Sequence, residues 1–482
     1  MLSQILLTFS LFSAIFATNA GEEEQKPNVL FIIADDLSNT LGCYGAEGVI
    51  SPNLDQLAAQ GRQFERAYCQ ASLCNPSRAS IMTGRRPHQL RIWSNQPHFR
   101  GVHPKIVTIP EHFKNNGYHS VGIGKVFHNW GQSLKGDPQS WSEPETNHYA
   151  AHFQDWYVPG QSYEIHSNLK KGPAVQCVDV PDEAYLDGRI TNAAINKLRE
   201  LRETPFFLTV GFWKPHLPYN APKKYWDMYD REHLPKVQYP APVEGVPGLA
   251  YVDSKEARSY TDVDSKVPIP EAQKQELRHG YLAGISYLDA QVGKILAELD
   301  RLDLRKNTII VFVSDHGYHA GEHGQFGKWT NFEIGTRVPL IISAPHVQQA
   351  GTATTGIVEL VDLFPTLTEL CGIPAPKSRD QLAGTSLVPI LQNPQQQVKK
   401  AALSQISRPL GSGTDFEIIG TSLRTEQYRY TSWKQVNSQE VVAEELYNLS
   451  KNLYTVENLI GTTKGDSKRV QLSHQLDELL KK

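Results

Sequence analysis

Short, wholly apolar runs separated by longer helical patterns organise this chain. Asn28-Val-Leu-Phe-Ile-Ile-Ala34 and Thr308-Ile-Ile-Val-Phe-Val313 show no alternation of polar and apolar positions. Continuous runs of that kind suit strands buried on both faces. Phe206–Val210 and Pro339–Ile342 repeat the pattern, and His119–Lys125 is a weaker example. Between them, Ser51-Pro52 offers a cap residue and a proline for the first turn of a helix that Gly61 closes. From Glu271 to Asp300, Leu277, Tyr281, Leu282, Ile285, Leu288, Val292, Ile295 and Leu299 recur at a period near 3.6, which predicts the longest helix. Strands alternating with helices predict an α/β fold with a mostly parallel sheet flanked by helices.

Two stretches break the alternation. Lys214–Pro270 is rich in Pro and aromatic residues with little periodicity, and reads as a long ordered excursion of the kind that often carries function. After about Ser386, Thr421–Trp433 and Glu445–Leu449 look like antiparallel strands, followed by an amphipathic helix near Val470–Leu480. This predicts a catalytic α/β domain over 21–385 and a small C-terminal α+β subdomain over 386–482. The first apolar run, Ile5–Ala17, is too short to span a membrane and ends in Ala-Thr-Asn-Ala before an acidic stretch. It reads as a secretory signal peptide over 1–20, although no Lys or Arg precedes it. The expected product is exported: periplasmic, secreted or lysosomal according to the organism, with no membrane span.

Composition narrows the chemistry. Lys and Arg number 48 against 51 Asp and Glu, so the net charge of −3 excludes a global basic field for nucleic acid. Any anionic ligand must be met locally. The 17 histidines direct attention to where they cluster with acids. Of the five cysteines, Cys43, Cys69, Cys74, Cys177 and Cys371, an odd count in an exported chain flags one free thiol. If that is Cys74, the other four allow three pairings, among which the sequence does not choose.

The chemistry sits at strand ends. The first buried run finishes in Asp35-Asp36, and the run at 308–313 finishes in Ser314-Asp315-His316-Gly317. In an open parallel sheet, ligands bind outside the carboxyl ends of the strands. Each acidic pair alone could cap a turn. Together, three converging carboxylates ask for a hard cation, Ca²⁺ or Mg²⁺. A third element is Cys74-Asn75-Pro76-Ser77-Arg78, whose proline and following helical stretch place Cys74 at a helix N-terminus. Read plainly, that is a thiol with a depressed pKa.

The Cys-x-Pro-Ser-Arg sequence some forty residues after an Asp-Asp strand end resembles the signature of type I sulfatases. The resemblance covers nearly the whole chain after the leader. It continues through Gly84-Arg-Arg-Pro87, Asn116-Gly-Tyr118, Gly124-Lys-Val-Phe-His128, Lys214-Pro-His216, Gly321-Glu-His-Gly324 and Phe326-Gly-Lys328. It reaches the C-terminal part in Leu423-Arg-Thr425, Tyr428-Arg-Tyr430 and Glu445-Leu-Tyr447. Gly-Lys-Val-Phe-His, Lys-Pro-His and the His after the last metal Asp are most similar to the iduronate-type members.

The resemblance implies an alkaline-phosphatase-like core and a sulfuric ester hydrolase whose Cys74 is oxidised to formylglycine (3-oxoalanine) by a maturation enzyme. It implies a divalent cation held by Asp35, Asp36, Asp315, His316 and the modified Cys74. Arg78 would hold the formylglycine hydroxyl, Lys125 and Lys328 would clamp sulfate, and His128 would take the proton when the aldehyde reforms. His216 would protonate the leaving sugar oxygen. The implied substrate is a sulfated saccharide, with exo-acting removal of 2-O-sulfate from a uronate-containing glycan as the leading expectation. Tyr318 and Arg424 are candidate substrate contacts, with Arg91 a further cation for a uronate carboxylate. Tyr318 replaces the Trp of that branch and the Trp93–Arg100 stretch also departs from it, which leaves other sulfated polysaccharides, including algal ones, open. A phosphatase or phosphonate hydrolase on the same scaffold and a non-catalytic carbohydrate-binding protein are the competing readings. A single divalent site suits a singly charged sulfate ester better than a two-metal phosphatase site does.

Overall fold

The computed structural model describes residues 26–129, 132–147, 172–241, 245–264, 266–345, 347–376, 382–410, 415–455 and 457–481. The expected signal peptide lies outside them. Seven strands build the main sheet: β1 (Asn28–Asp35), β2 (Arg62–Tyr68), β3 (His119–Gly124), β4 (Phe206–Pro215), β5 (Thr308–Ser314), β6 (Leu340–Ser343) and β7 (Ala353–Glu359). A two-residue piece, Arg337–Val338, extends it beside β2. The order across the centre is β2-β6-β5-β1-β4-β3, with β7 also on β2.

β1 is fully buried along its length, as its unbroken apolar run predicts. Its side chains divide by parity. Leu30, Ile32 and Ala34 join one core cluster with Leu282, Ile285 and Leu288 of the long helix. Val29, Phe31 and Ile33 join the other, with Phe364 and Leu367. A period-2 strand thus feeds two apolar layers, and each helix layer covers one. The long helix runs Glu271–Arg301, one residue beyond the expected end.

β1 runs parallel to both β4 and β5, and β3 runs parallel to β4. The sheet is nonetheless mixed. β6, expected among the parallel strands, is antiparallel to β5 and β2. Direction depends on which end of the sheet the connection re-enters from, and an apolar run carries no such information. β2 and β7 were not visible as apolar runs, because β2 alternates buried and half-buried positions such as Arg62, Glu65 and Arg66.

A second, four-stranded antiparallel sheet is formed by β8 (Ala401–Arg408), β9 (Ile418–Thr425), β10 (Tyr428–Gln435) and β11 (Val441–Asn448). The expected strand over Thr421–Trp433 is therefore a hairpin. Its helix spans Thr463–Leu480, starting earlier than the pattern suggested. Leu472 and Leu476 pack it onto Leu403, Leu423 and Leu446. The small sheet meets the core at β8, where Gln405 N–H donates to Gln70 O and Leu403 N–H to Glu359. No helix among the described residues is long and apolar enough to cross a membrane.

Candidate active site

Strand register brings the scattered motifs to one edge. Ala34 pairs with Ser314, so Asp35 and Asp36 leave the sheet beside Asp315 and His316, and Asp315 N–H donates to Ala34 O at 3.2 Å. On the other side of β1, a register shift brings Asp35 opposite Pro215, which sets His216 at the same edge. Gly124 pairs with Gly211, so Lys125 emerges next in line. A Cβ at Gly124, whose φ is +77°, would lie 2.1 Å from Gly211 O, so only glycine permits this turn into Lys125.

The helix Cys74–Thr83 starts on this edge. Arg78, fully buried, ties it down: Nε donates to Asp315 Oδ2 at 2.8 Å, and the guanidinium also reaches the carbonyls of Lys125, Val126 and Ala34. Ser77 Oγ donates to Asp315 O. The sulfur of Cys74 then lies 3.6 Å from Asp35 Oδ1, 3.3 Å from His316 Nε2, 3.8 Å from Lys125 Nζ and 3.6 Å from Lys328 Nζ. Lys125 Nζ pairs with Asp35, and its ammonium stands 4.6 Å from the Trp213 ring centroid. Lys328 Nζ donates to Asp36 Oδ1 at 2.8 Å.

Burial and charge act together here. Burial by itself would raise the Asp35 carboxyl, but Lys125, His216, Arg78 and Lys328 hold it well below the usual range. Burial wins at Asp36 and raises it despite Lys328 and His216. Burial, with Asp35 adjacent, also pushes the Cys74 thiol up. The depressed thiol suggested by the helix N-terminus is therefore not what this pocket makes: the desolvation of a thiolate outweighs the helix and the two lysines. His128 is buried, and neither ring nitrogen has a hydrogen-bond partner among the described residues. Burial and the neighbouring Lys125 hold it neutral, well below its ordinary value.

The donor set fits a hard cation. Asp35, Cys74, Asp315 and His316 can offer ligand atoms within 4.8 Å of one another, and so can Asp35, Asp36 and His216. Three carboxylates and an imidazole at one buried edge suit a divalent ion of the Ca²⁺ or Mg²⁺ type. The structure thus gathers Asp35, Asp36, Cys74, Arg78, Lys125, His128, His216, Asp315, His316 and Lys328 in one neighbourhood.

Other expectations need correction. Arg424 is buried on β9, where Nε donates to Glu333 Oε1 at 2.6 Å, so its charge is spent joining the small sheet to the core. Arg91 is exposed at the end of a four-residue helix. Tyr318 is fully buried, stacked on Tyr281 with ring centroids 5.7 Å apart. All five cysteines are unpaired thiols. One residue escaped sequence reasoning. Glu256 Oε1 lies 3.3 Å from His216 Nε2 and 3.1 Å from Lys328 Nζ. Its only sequence signal was its position in the aperiodic stretch from Lys214 to Pro270.

Comparison with known proteins agrees with this geometry. The family model described as "Sulfatase" matches residues 27–373, and "N-sulphoglucosamine sulphohydrolase, C-terminal" matches 321–482. Iduronate 2-sulfatase of Homo sapiens is 36% identical over 88% of this chain and 88% of its own. The Mus musculus protein is 35% identical over 91% of each. A solved structure in complex with its substrate D-glucosamine-2-N,6-O-disulfate superposes with a TM-score of 0.74 over 95% of this chain and 98% of that one, at 22% identity, which shows the fold. With the matched model spanning most of the chain and Cys74 enclosed by acids and lysines, this protein belongs to the sulfatase family and is a sulfuric ester hydrolase.

Proposed function

We propose that this sulfatase removes 2-O-sulfate from the end of a uronate-containing glycan, using formylglycine made from Cys74 by a maturation enzyme and a divalent cation, Ca²⁺ by preference. The observation that supports the chemistry is the position of the Cys74 sulfur, within 3.8 Å of Asp35, His316, Lys125 and Lys328 at once. Likeness to the iduronate 2-sulfatases supports the choice of glycan.

When bound, the formylglycine hydrate and the cation supply the nucleophile and the Lewis acid. The chain's own residues do the rest. Asp35, Asp36, Asp315 and His316 would hold the cation, while Arg78 fixes Asp315 by its 2.8 Å bond and keeps the start of the nucleophile helix against it. Lys125 and Lys328 carry fixed positive charge beside position 74, where a sulfate group gains negative charge in the transition state. Lys125 rests on Asp35, and Lys328 on Asp36 and Glu256. His216 Nε2 holds a proton for the departing sugar oxygen. His128, kept neutral, is ready to accept a proton when sulfate is expelled.

Two measurements test the proposal together. The peptide over 66–78 should weigh about 18 Da less than its cysteine form, the change from thiol to aldehyde. The protein should release sulfate from a 2-O-sulfated uronate at a chain end faster than from other members of a defined panel of sulfated glycans. An unmodified Cys74 in active enzyme removes the nucleophile assignment, and a preference for a different sulfate position removes the substrate.

A further inference from the structure

Glu256 is held by only one of its oxygens. Oε1 is shared between His216 Nε2 at 3.3 Å and Lys328 Nζ at 3.1 Å, whereas Oε2 is buried with no hydrogen-bond partner among the described residues. The side chain is 11% exposed. A buried carboxylate oxygen left without a donor is costly, and a polar group kept that way in a site asks for a partner the protein does not supply. Neither neighbouring serine of the loop fills the role. Ser254 Oγ accepts from Phe326 N–H, and Ser259 Oγ donates to Glu256 O.

The location narrows what that partner is. Lys328 touches both Glu256 and the Cys74 sulfur, so Glu256 stands one ammonium group away from the position where sulfate reacts. It also touches the imidazole assigned to the leaving alcohol. A group reaching Oε2 while sulfate sits at Lys328 must therefore belong to the part of the substrate next to the ester oxygen. It must donate, because an ionised carboxylate only accepts. The loop carrying Glu256 packs beside the strand end that presents Lys328: Glu256 Cβ lies 3.8 Å from a Cβ built at Gly327.

We propose that Glu256 is a specificity-determining residue whose Oε2 accepts a hydrogen bond from a hydroxyl vicinal to the sulfate ester, so that the enzyme selects sulfated polyols over simple alkyl sulfates. This deepens the glycan reading and rests on it for the biological substrate. The recognition itself needs only a vicinal diol monosulfate. A site built to bond a hydroxyl rejects the analogue that lacks one, since its own polar atom is then left buried and unmet.

The test compares trans-cyclohexane-1,2-diol monosulfate with cyclohexyl sulfate, which differ by that hydroxyl alone. Preference is read as the ratio of kcat/KM values, or of inhibition constants against an aryl sulfate where turnover is too slow to measure. The matured wild type should favour the diol ester by about tenfold to a hundredfold, the range for a hydrogen bond to a charged group. Glu256→Ala should bring the ratio to near one, whatever happens to the two rates together. Glu256→Gln keeps a carbonyl acceptor and should restore part of the preference. A wild type without preference overturns the proposal. So does an Ala variant in which both esters lose equally and the ratio stands, because that is the mark of a purely structural role. If the diol preference holds but no sulfated uronate is turned over, the uronate assignment falls while Glu256 keeps its role.

Discussion

Arg78 reaches from the first turns of the helix that starts at Cys74 to Asp315 at the end of β5, Nε to Oδ2 at 2.8 Å, with both side chains fully buried. One ion pair thereby fixes the start of the Cys74 helix relative to Asp315. The anchor is independent of the Cys74 side chain itself, which bears on the first prediction.

Cys74→Ala should abolish sulfate release while leaving the melting temperature within a few degrees of wild type. Alanine fits where cysteine stood, Arg78 and Ser77 still hold the helix, and no other side chain at that point can become the aldehyde. Covalent catalysis has no substitute group here. Turnover above about a tenth of wild type would contradict the assignment, since a nucleophile normally contributes far more than tenfold.

Removing divalent metal should stop catalysis, and Ca²⁺ or Mg²⁺ should restore it. Asp36→Asn and Asp315→Asn should each weaken metal binding, measured by calorimetry, in parallel with activity, because each removes a hard anionic ligand from the edge that holds Asp35 and His316. Full activity after exhaustive chelation, or rescue by Zn²⁺ alone, would mean that the cation site is misassigned.

The two histidines should separate by leaving group. With His216 as acid, His216→Ala should slow sugar sulfates by about 10²–10⁴-fold and spare aryl sulfates, whose phenolates leave unaided. His128→Ala should instead let a sulfated enzyme accumulate after a burst with either substrate, since the alcohol has by then departed. Equal losses on both substrates for His216→Ala, in single-turnover measurements, would move the acid role elsewhere.

Acid stability offers a check away from the catalytic centre. Burial alone would raise the Glu333 carboxyl, but Arg424 and Arg429 pull it down to about 2 from 4.5. Since the folded value is depressed, its stabilising effect is complete above pH 4.5 and is lost as pH falls toward 2. The shift corresponds to about 3 kcal/mol. Glu333→Gln should flatten that limb of the stability profile. It should also cost about 3–5 kcal/mol at neutral pH, because two buried guanidinium groups lose their counter-charge. Denaturant titrations of both proteins between pH 2 and 7 measure the difference.

Much of this protein is written in local pattern. The unbroken apolar runs of β1 and β5 predict burial on both faces, the 3.6 period predicts the long helix, and the acids after each run predict a cation edge. These features depend on neighbours in sequence, which is why they can be read there. Motif resemblance then supplies the family and the candidate roles of Cys74, Lys125 and Lys328. Tertiary structure decides what depends on distant partners. The antiparallel course of β6 follows from where its loop returns. Arg424 is taken up in a buried ion pair because Glu333, ninety-one residues earlier, lies beside it. The thiol of Cys74 is pushed up rather than down because desolvation is a property of the whole enclosing pocket. Glu256 joins the site because the excursion after His216 folds back beside it, and a lone Glu in an aperiodic loop carries no signal of what it will face.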